Sequence, residues 1–545
     1  MDDDFYSPEL NVTARYGGLI QRIWANANST SPAFIMAILL APFAIVVATR
    51  YLSERPSKFV NGGKERTIWM LPYWQGGLSW LLFLLFLTMA RDLSPHGIFA
   101  LNLGMTAHNV ISNPSLVSST MAQKESAVRF VPIAWAVVQK FFGVPKRAKE
   151  KYMKNWEEFN SHFGDMMKEP HLSNLLKATM KNLEQNIPQM LTFVDTEVDL
   201  QPWERFGQAA YISDSETEID LMALLRDLLG HASVPAFFGH ALLEKYPDLL
   251  HDVYDMDKGM NFSWLACQAG FPLDGQQRAL DAMAQEKPVD PSWGDLDDSL
   301  LIIDEGFEVN ERADLSILWA LVANANLVVY WQSLHILATP GLLDRIRSEI
   351  STCATISKPF SIGTISEAPK LTISHDALSK KCPLLRSTYL ETLRLCNQPW
   401  SIRQIAADVT ITGDKKSSDP VSYVMRKGEY ATLPHDLHMR DSKYFKDPMK
   451  FDPERFIVQN EDGSLSTGMG TIRPYGGGYS MCKGRVYAEK ECLSLVAGVL
   501  SFWDIEPADK KVGWVIPEQI KASAVSRPVH DTRVRIKRRK FEWEA

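Results

Sequence analysis

The sequence predicts a mainly α-helical protein with small β-sheets. Apolar residues recur at helical spacing from about residue 153 to 285 and again from 313 to 337. Short stretches with strand character, such as 97–103 and 409–412, lie between turn-forming residues. The 545 residues contain no internal repeat and no Ser/Gly/Pro-rich linker, so one large folded body is expected.

Composition narrows the class of protein. With 46% hydrophobic and 23% charged residues, the chain has the make-up of a globular protein with a substantial core. A net charge of −7 gives no reason to expect nucleic acid as a partner. The six cysteines show neither zinc nor disulfide-framework spacing, which favours a reducing compartment for the main body.

An apolar run over residues 32–52 predicts a membrane anchor. Its uncharged part is about as long as a bilayer is thick. Acidic residues precede the run and basic residues follow it, which places residues 1–31 in the lumen and the main body in the cytosol. Since no small-residue cleavage site is evident, we expect a retained signal anchor, a linker over 53–68 and the main body over 69–545.

Two Asn-x-Ser/Thr sequons, at Asn11 and Asn28, fall on the lumenal side of this arrangement and are candidates for glycosylation. A second apolar run, 76–90, is only about 15 residues long, so a buried or membrane-grazing helix is favoured over a second span. Residues 97–103 and 108–111 then predict a pair of strands.

The helical stretch from about 153 to 285 carries leucine stripes typical of a core, and we assign it no chemistry. The next helix, from about 313 to 337, is apolar on every face. A second transmembrane helix is the rival interpretation. Four polar residues near its middle favour a helix buried in protein instead. They are Asn324, Asn326, Gln332 and His335.

Two weaker signals follow. A helix over about 384–395 places Glu391 and Arg394 on one face, since they lie three residues apart. Taken alone, such a pair is a surface ion pair worth less than about 1 kcal/mol. Pro399 favours an extended backbone that leads into the strand at 409–412, and the alternating tail from 533 predicts a final strand.

The strongest signal is the stretch 473–485, where a proline and three glycines precede Cys482 and a helix that runs from about 485 to 500. Backbone N–H groups at a helix start favour a thiolate, and glycines let a flat group approach the backbone. A metal ligand, including a haem ligand, is one interpretation, and an inert buried cysteine in a tight turn is the other. The patterns of a nucleophile elbow and of a phosphate loop are both incomplete here.

The spacing resembles the haem-thiolate signature of the cytochrome P450 family, aromatic-x-x-Gly-x-x-x-Cys-x-Gly. The matching residues are Tyr475, Gly478, Cys482 and Gly484. Ala488 fits a further position, whereas Tyr475 stands where Phe is usual and Ser480 where an Arg or His often contacts a haem propionate. The resemblance implies the P450 fold, haem b as cofactor and Cys482 as the axial ligand of its iron.

Further motifs of the family lie in the expected order. Phe451-Asp-Pro-Glu-Arg-Phe456 matches its Pro-Glu-Arg-Phe segment, so the resemblance implies an ion network of Glu391, Arg394 and Arg455 behind the thiolate loop. It also implies Arg403 and Arg473 as propionate contacts, with His438 a weaker candidate and a solvated strand-edge charge the alternative for Arg403. The family's tryptophan and basic residue, four apart, correspond here to Trp156 and Asn160.

In the family, the helix that corresponds to about 313–337 crosses the distal face of the haem, and this chain departs from the family pattern there. The family's usual Ala/Gly-Gly-x-Asp/Glu-Thr corresponds to Ala323-Asn-Ala-Asn-Leu327, so Asn326 replaces the acid and Leu327 replaces the threonine. Proton delivery needs a donor within hydrogen-bond reach. Asn326 with water, or a hydroxyl of the substrate, could supply the proton, or the substrate could bring a preformed peroxide. A purely structural role for the Asn326 amide is the alternative. The Ala-Asn pattern resembles relatives of prostacyclin synthase and the sterol 7-alpha and 12-alpha hydroxylases.

The resemblance implies a single-pass enzyme of the endoplasmic reticulum membrane with a cytosolic catalytic domain. Its expected reaction is monooxygenation of a lipophilic small molecule by hydroxylation, epoxidation or oxidative cyclisation, in the manner of fungal secondary-metabolite enzymes. NADPH–cytochrome P450 reductase is the expected partner, which Lys483, Arg485 and Lys490 would face. The alternatives are a reductase-independent isomerase or dehydratase and a non-catalytic haem-binding membrane protein.

Overall fold

The computed structural model describes the larger part of the chain. The described residues are 65–66, 68, 91–92, 94, 96–103, 106–269, 275–285, 307–359, 361–362, 365–366, 369–414, 420–522 and 524–541. The predicted lumenal segment, the anchor at 32–52, most of the linker and the apolar run at 76–90 lie outside them, so these stay predictions. The chain divides into two compact units, 1–109 and 110–545.

Within the first unit the described elements are strands. They are β1 Glu65–Arg66, β2 Ile98–Leu103 and β3 Thr106–Ile111, which runs to the boundary. β2 and β3 are neighbours in a sheet, which confirms the predicted strand pair. The hydroxyl of Ser94 donates to the carbonyl of Ile98 at 2.8 Å and accepts its N–H at 3.0 Å, which fixes where β2 begins.

Helices are the commonest regular elements of the second unit, as the sequence predicts. The helices are α1 Pro114–Met121, α2 Val131–Phe141, α3 Lys149–Met166, α4 His171–Asn186, α5 Pro202–Phe206, α6 Leu221–Phe238, α7 Ala241–Lys245, α8 Leu249–Ala269, α9 Gln276–Gln285, α10 Asp314–Val322, α11 Ala325–Ala338, α12 Leu342–Ile350, α13 His375–Lys381, α14 Pro383–Cys396, α15 His435–Met439 and α16 Arg485–Phe502. α16 begins directly after the cysteine loop, at the predicted residue.

The strands of this unit form small antiparallel sheets. They are β4 Val128–Arg129, β5 Ala210–Ser213, β6 Glu216–Asp220, β7 Ala354–Ser357, β8 Ser361–Ile362, β9 Ile365–Ser366, β10 Lys370–Ile373, β11 Trp400–Ile405, β12 Val409–Thr412, β13 Ser422–Met425, β14 Tyr430–Pro434, β15 Ile457–Gln459, β16 Leu465–Thr467, β17 Trp503–Pro507, β18 Gln519–Ile520, β19 Arg527–Pro528 and β20 Arg533–Arg538. β11 pairs with β14 on one side and β4 on the other, and this pairing places Arg403 opposite Ala431.

The middle of the chain is not wholly helical, contrary to the prediction for 153–285. β5 and β6 form a hairpin there, and β6 pairs with the C-terminal strand β20. Residues 210–220 contain tyrosine, isoleucine and threonine but are too short to give a clear period. The partner strand that completes the ladder lies more than 300 residues away, so the hairpin depends on tertiary contact.

α11 forms the centre of the core. Tyr330 and Trp331 on it are fully buried, and the helix packs against α6, α14 and α16. Surrounded helices of this kind are apolar on all faces, which explains the absence of an amphipathic pattern. Among the described residues, Leu221–Phe238 and Asp314–Ala338 are long and apolar enough to cross a membrane, and both are largely buried inside the protein.

The predicted single helix over 313–337 is wrong in one respect, because it is interrupted at Ala323 and Asn324. α10 ends at Val322 and α11 begins at Ala325. The Asn324 side-chain oxygen accepts the backbone N–H of Val525 at 3.3 Å. Asparagine competes with helical backbone hydrogen bonds, and a docked C-terminal segment gives it a partner outside the helix.

Candidate haem-thiolate site

The loop before α16 needs glycine for a steric reason. Gly478 has φ +64°, and a Cβ atom there would lie 2.4 Å from the carbonyl oxygen of Met121 at the end of α1. Only glycine permits that approach without strain. The backbone N–H of Cys482 donates to the carbonyl of Tyr475 at 3.1 Å, which closes the loop. The loop thus presents Cys482 immediately before α16.

The side chain of Cys482 is exposed, and the protein atoms around it raise the pKa of its thiol by desolvation. Hydrogen bonds from the backbone amides of Gly484 and Arg485, together with the Arg485 charge, oppose the rise. A sulfur anion is therefore met by N–H donors at the start of a helix.

Tyr475 is tied to the helix behind the loop. Its hydroxyl lies 2.6 Å from that of Tyr389 on α14, and burial raises the pKa of both phenols. Both therefore stay protonated and can share a hydrogen bond. A phenylalanine at position 475 would lack this contact, so the replacement of the usual Phe by Tyr comes with a matching partner.

The same helix carries a buried ion network. Both Glu391 and Arg394 are fully buried, and the guanidinium of Arg394 donates to the two carboxylate oxygens at 2.7 Å each. Arg455 adds a hydrogen bond of 3.1 Å to each oxygen. The second face of Arg394 is bound by the carbonyls of Met439 and Pro448 at 2.8 and 2.6 Å. The structure therefore brings together the three residues that the sequence singled out.

Such a network joins distant parts of the chain. Two opposite charges can be buried away from water when they form a bidentate pair and all their remaining hydrogen-bonding groups have partners. The backbone N–H of Asp452 also donates to Glu391, at 3.0 Å. Segments 439–455 are thereby fixed to α14, whose Tyr389 holds the cysteine loop.

A group of cations lies on the other side of the loop. Arg403 on β11 is buried, which lowers its pKa to about 10, and it contacts the hydroxyl of Ser480 and the sulfur of Met121. Arg473 donates to Ser118 Oγ at 2.6 Å, while its Nε has no partner. No carboxylate of the described residues forms an ion pair with either guanidinium. An anion is the group that would complete this arrangement.

His435 and His438 border the same cations. Burial lowers the pKa of His435 to about 3, with the charges of Arg473 and Arg403 acting in the same direction. Burial also lowers the pKa of His438 to about 4, and its Nε2 lies 2.8 Å from Thr471 Oγ1. Both rings are therefore neutral, so the positive charge at this place belongs to the arginines.

Two further donors lie here, Trp156, which the sequence analysis named with Asn160, and Tyr479, which it missed. Trp156 Nε1 and the Tyr479 hydroxyl are buried atoms without a well-formed hydrogen-bond partner, and they lie beside each other and Asn160. Burial raises the pKa of Tyr479, so its hydroxyl keeps its proton. Tyr479 directly precedes Ser480, and its polar group inside the cysteine loop was the signal available in the sequence.

On the opposite side, the polar side chains at the helix break face protein. Asn326 is 1% exposed, and its Nδ2 donates to the carbonyl of Arg226 and to the hydroxyl of Tyr254, both at 3.0 Å. Its Oδ1 has no partner. Leu327 is buried in the main core. The Cys492 thiol on α16 reaches the carbonyl of Ala325 at 3.7 Å, which joins the break to the helix that follows Cys482.

The cytochrome P450 family model matches residues 315–530, a stretch that contains the helix break, the ion network and the cysteine loop. Over this stretch the chain is therefore similar to the cytochrome P450 family. Enzymes of this family depend on haem b, iron-protoporphyrin IX, bound through a thiolate. The P450 signature residues and the network behind them are thus found in one place in the folded chain.

Curated P450s show the same likeness. A cytochrome P450 monooxygenase of Penicillium oxalicum, poxD, is 29% identical over 290 residues, which are 51% of this chain and 56% of that protein. The 25-hydroxycholesterol 7-alpha-hydroxylase of Rattus norvegicus is 32% identical over 219 residues, 38% of this chain and 49% of the relative. Prostacyclin synthase of Bos taurus is 27% identical over 240 residues, 42% of this chain and 45% of the relative.

The chain thus spans about half the length of these curated relatives. The similarity to prostacyclin synthase and to a sterol 7-alpha-hydroxylase agrees with the resemblance noted in the distal helix. The likeness to fungal P450s agrees with the expected group within the family.

The residues present fit haem b. An accessible thiol just before the start of a helix suits an iron ligand. Beside it stand two guanidiniums without a carboxylate partner and two unpartnered donors, which suit the two carboxylates of the haem edge. Cys482 would hold the iron, and Arg403, Arg473, Trp156 and Tyr479 would hold the propionates.

Proposed function

We propose that this chain is a haem-thiolate monooxygenase that acts on a lipophilic small molecule with dioxygen and electrons from an NADPH-dependent reductase. The observation that carries the proposal is the Cys482 loop, whose thiol is accessible at the start of a helix and whose backbone is fixed by Tyr475 and the Glu391 network. A haem bound through a cysteine thiolate supplies the oxygen chemistry, because the thiolate pushes electron density that favours O–O cleavage.

The protein's own contributions follow from its contacts. Arg403 and Arg473 would neutralise the anionic edge of the cofactor, and Trp156 and Tyr479 would donate hydrogen bonds to it. The backbone amides of Gly484 and Arg485 stabilise the sulfur anion of Cys482. Leu327 and the apolar core around it exclude water from the distal side.

Proton supply on the distal side depends on Asn326. Its Nδ2 is already bonded to Arg226 and Tyr254, so only Oδ1 is free to hold a water molecule. An amide is a poor acid, and it therefore orders a proton-carrying water rather than donating a proton itself. In this proposal Asn326 is a positioning residue.

The same observation favours a second candidate, a reductase-independent P450 that rearranges a peroxide or dehydrates its substrate. Such a reaction needs no proton relay from the distal helix, and neither Asn326 nor Leu327 offers a proton-donating acid or hydroxyl. The named similarity to prostacyclin synthase, a synthase rather than a hydroxylase, is compatible with this candidate.

The electron donor would approach the surface around the cysteine loop and the start of α16. Lys490 is already paired with Asp376 at 2.6 Å, whereas Lys483 forms no ion pair with a described residue. Lys483→Glu should therefore weaken coupling to the reductase more than Lys490→Glu does. Equal rates of electron transfer in the wild type and both variants would contradict this orientation.

Three measurements test the function. The reduced carbon-monoxide difference spectrum should show the thiolate-shifted Soret band, and its absence would leave only a haem-binding role or none. Turnover of candidate lipophilic precursors should require NADPH and reductase. Product formed without either would establish the rearrangement enzyme instead. Fractionation of expressing cells should place the protein in endoplasmic reticulum membranes, with the residues after 68 protected from lumenal modification.

A further inference from the structure

Two buried cysteines outside the haem site lie in contact. Cys353 precedes β7 and Cys382 precedes α14, and their sulfur atoms are 3.7 Å apart. Their exposed fractions are 3% and 1%. A disulfide has an S–S distance of about 2.05 Å, so these are two free thiols at van der Waals contact.

The other described buried cysteines have no such neighbour. Cys396 accepts a hydrogen bond from Gln519 at 3.4 Å, and Cys492 donates to the carbonyl of Ala325. Neither touches a second sulfur. The chain therefore contains its own controls, since Cys396 and Cys492 share the burial of the pair but lack a partner.

An open groove lies one residue layer from the pair. Its volume is about 520 Å³, and Glu349, Pro383 and Leu384 line it. The Cys382 thiol is 3.7 Å from the carbonyl oxygen of Glu349, and Pro383 is the next residue in the chain. Glu349 and Pro383 therefore separate the Cys382 thiol from this groove, and a peroxide molecule that enters from it has to pass them to reach the pair.

We propose that Cys353 and Cys382 are a redox-sensitive pair that forms a disulfide when the protein meets a hydroperoxide. The thiolate of Cys382 attacks one oxygen of hydrogen peroxide, and the O–O bond breaks. Cys382 becomes a sulfenic acid, and the leaving hydroxide takes a proton to become water. The Cys353 sulfur then attacks that of Cys382, forms the S–S bond and releases the second water. The two thiols together lose two electrons, and one hydrogen peroxide molecule accepts them and is reduced to two waters.

The bond would constrain the helix that supports the haem site. Cys382 is the residue before α14, whose first free N–H groups, those of Leu384 and Leu385, donate to the Glu349 carboxylate at 2.8 Å each. The same helix carries Glu391 further along. A bond to Cys353 closes the loop of residues between 353 and 382, which restricts the unfolded chain. The oxidised protein should therefore unfold at a higher temperature than the reduced one.

The rate should depend on pH in a defined direction. Burial raises the pKa of the Cys382 thiol, and the adjacent Cys353 adds to the rise. Since the thiolate is the nucleophile, disulfide formation should be slow at neutral pH. As long as the pH stays below that pKa, the rate should rise about tenfold for each unit by which the pH is increased.

The test uses the full-length, haem-loaded protein treated with hydrogen peroxide, unfolded in an alkylating agent and mapped by mass spectrometry without reduction. We expect linked peptides of Cys353 and Cys382 that have lost two hydrogens, with Cys396 and Cys492 alkylated. Oxidation of the exposed Met449 to its sulfoxide verifies that the peroxide has acted. Two free thiols at a dose that oxidises Met449, or a link between any other pair, would overturn the proposal.

Variants separate the two steps. In Cys353→Ser a sulfenic acid should be trapped on Cys382 by a dimedone probe, whereas Cys382→Ser should leave Cys353 unlabelled. Cys492→Ser should form the link at the wild-type rate. Oxidation should raise the unfolding temperature of the wild type and of Cys492→Ser but not that of Cys353→Ser. A rise of equal size in Cys353→Ser would show that the stabilisation has another origin and would contradict the proposed bond.

Discussion

The two sides of the proposed haem site are built differently. On the cysteine side, Glu391, Arg394 and Arg455 satisfy one another with hydrogen bonds, and Tyr389 ties the network's helix to the loop through Tyr475. On the distal side, a helix is broken at Ala323 and Asn324, and its amides bond to neighbouring segments. The cysteine side is a rigid support that matches the family motifs. The distal side is where the sequence departs from the family pattern, at Asn326 and Leu327.

The difference has a physical reason. An iron ligand must stay in one place, and buried, fully satisfied ion pairs hold a backbone firmly because separating them leaves an uncompensated charge. A distal pocket must admit a substrate and deliver protons. Uncharged amides at a helix break hold their neighbours less strongly, so this side can differ between relatives without loss of the fold.

Cys482→Ser should have the largest effect. A serine oxygen does not replace the thiolate, so we expect the thiolate-shifted carbon-monoxide band and the product to disappear. Cys492→Ser is the matched control, because a hydroxyl can still donate to the carbonyl of Ala325. A thiolate-shifted band that persists in Cys482→Ser, together with full activity, would contradict Cys482 as the proposed ligand.

Glu391→Gln should be the next most damaging change. It leaves Arg394 fully buried without its carboxylate, a loss of about 3–5 kcal/mol in the free energy of unfolding. Glu454→Gln is the control, in the Pro-Glu-Arg-Phe segment that also contains Arg455. It removes a surface ion pair with Arg345 and should cost less than about 1 kcal/mol in the free energy of unfolding. Chemical denaturation followed by haem absorbance and fluorescence compares the two. Equal losses would mean that burial of the network has little energetic weight.

Asn326→Asp tests whether the distal amide is committed to structure. A carboxylate cannot donate to the carbonyl of Arg226, so we expect a loss of about 1–3 kcal/mol. Burial would raise the pKa of this new acid above its unfolded value of about 3.9, so the loss is smallest at low pH and grows as the pH rises through the folded pKa.

Asn324→Asp provides the contrast, since that side chain only accepts, from the N–H of Val525, and a carboxylate accepts equally well. Its stability should change by less than about 1 kcal/mol and show little dependence on pH. Stability of both variants is measured by urea denaturation at several pH values. A stable Asn326→Asp with improved coupling of NADPH to product would indicate that position 326 serves proton delivery directly.

Tyr475→Phe should have the smallest effect. It leaves the buried hydroxyl of Tyr389 without its partner at 2.6 Å, which costs about 1 kcal/mol in stability. The carbon-monoxide spectrum should keep its thiolate-shifted band, because the family usually carries phenylalanine at this position. Loss of that band would assign Tyr475 a role at the cysteine rather than at the helix behind it.

Sequence reasoning reached the local elements and the motifs. Helix α16, the strand pair β2 and β3, and strand β12 follow from local patterns, and the structure has them where the sequence predicts them. Sequence reasoning failed where an element depends on contact with a segment that is far away in the sequence. The hairpin of β5 and β6 needs β20, and the break before α11 needs the segment around Val525.

The sequence by itself predicted haem as the cofactor, because the spacing around Cys482 and the order of the Glu391 and Arg455 motifs resemble those of the P450 family. The tertiary structure alone decided what the side chains do with their remaining hydrogen bonds. It placed Tyr479 beside Trp156, bonded Asn326 to Tyr254 and brought two cysteines 29 positions apart into contact. These contacts join residues on different elements, and no local spacing encodes the packing that brings such elements together.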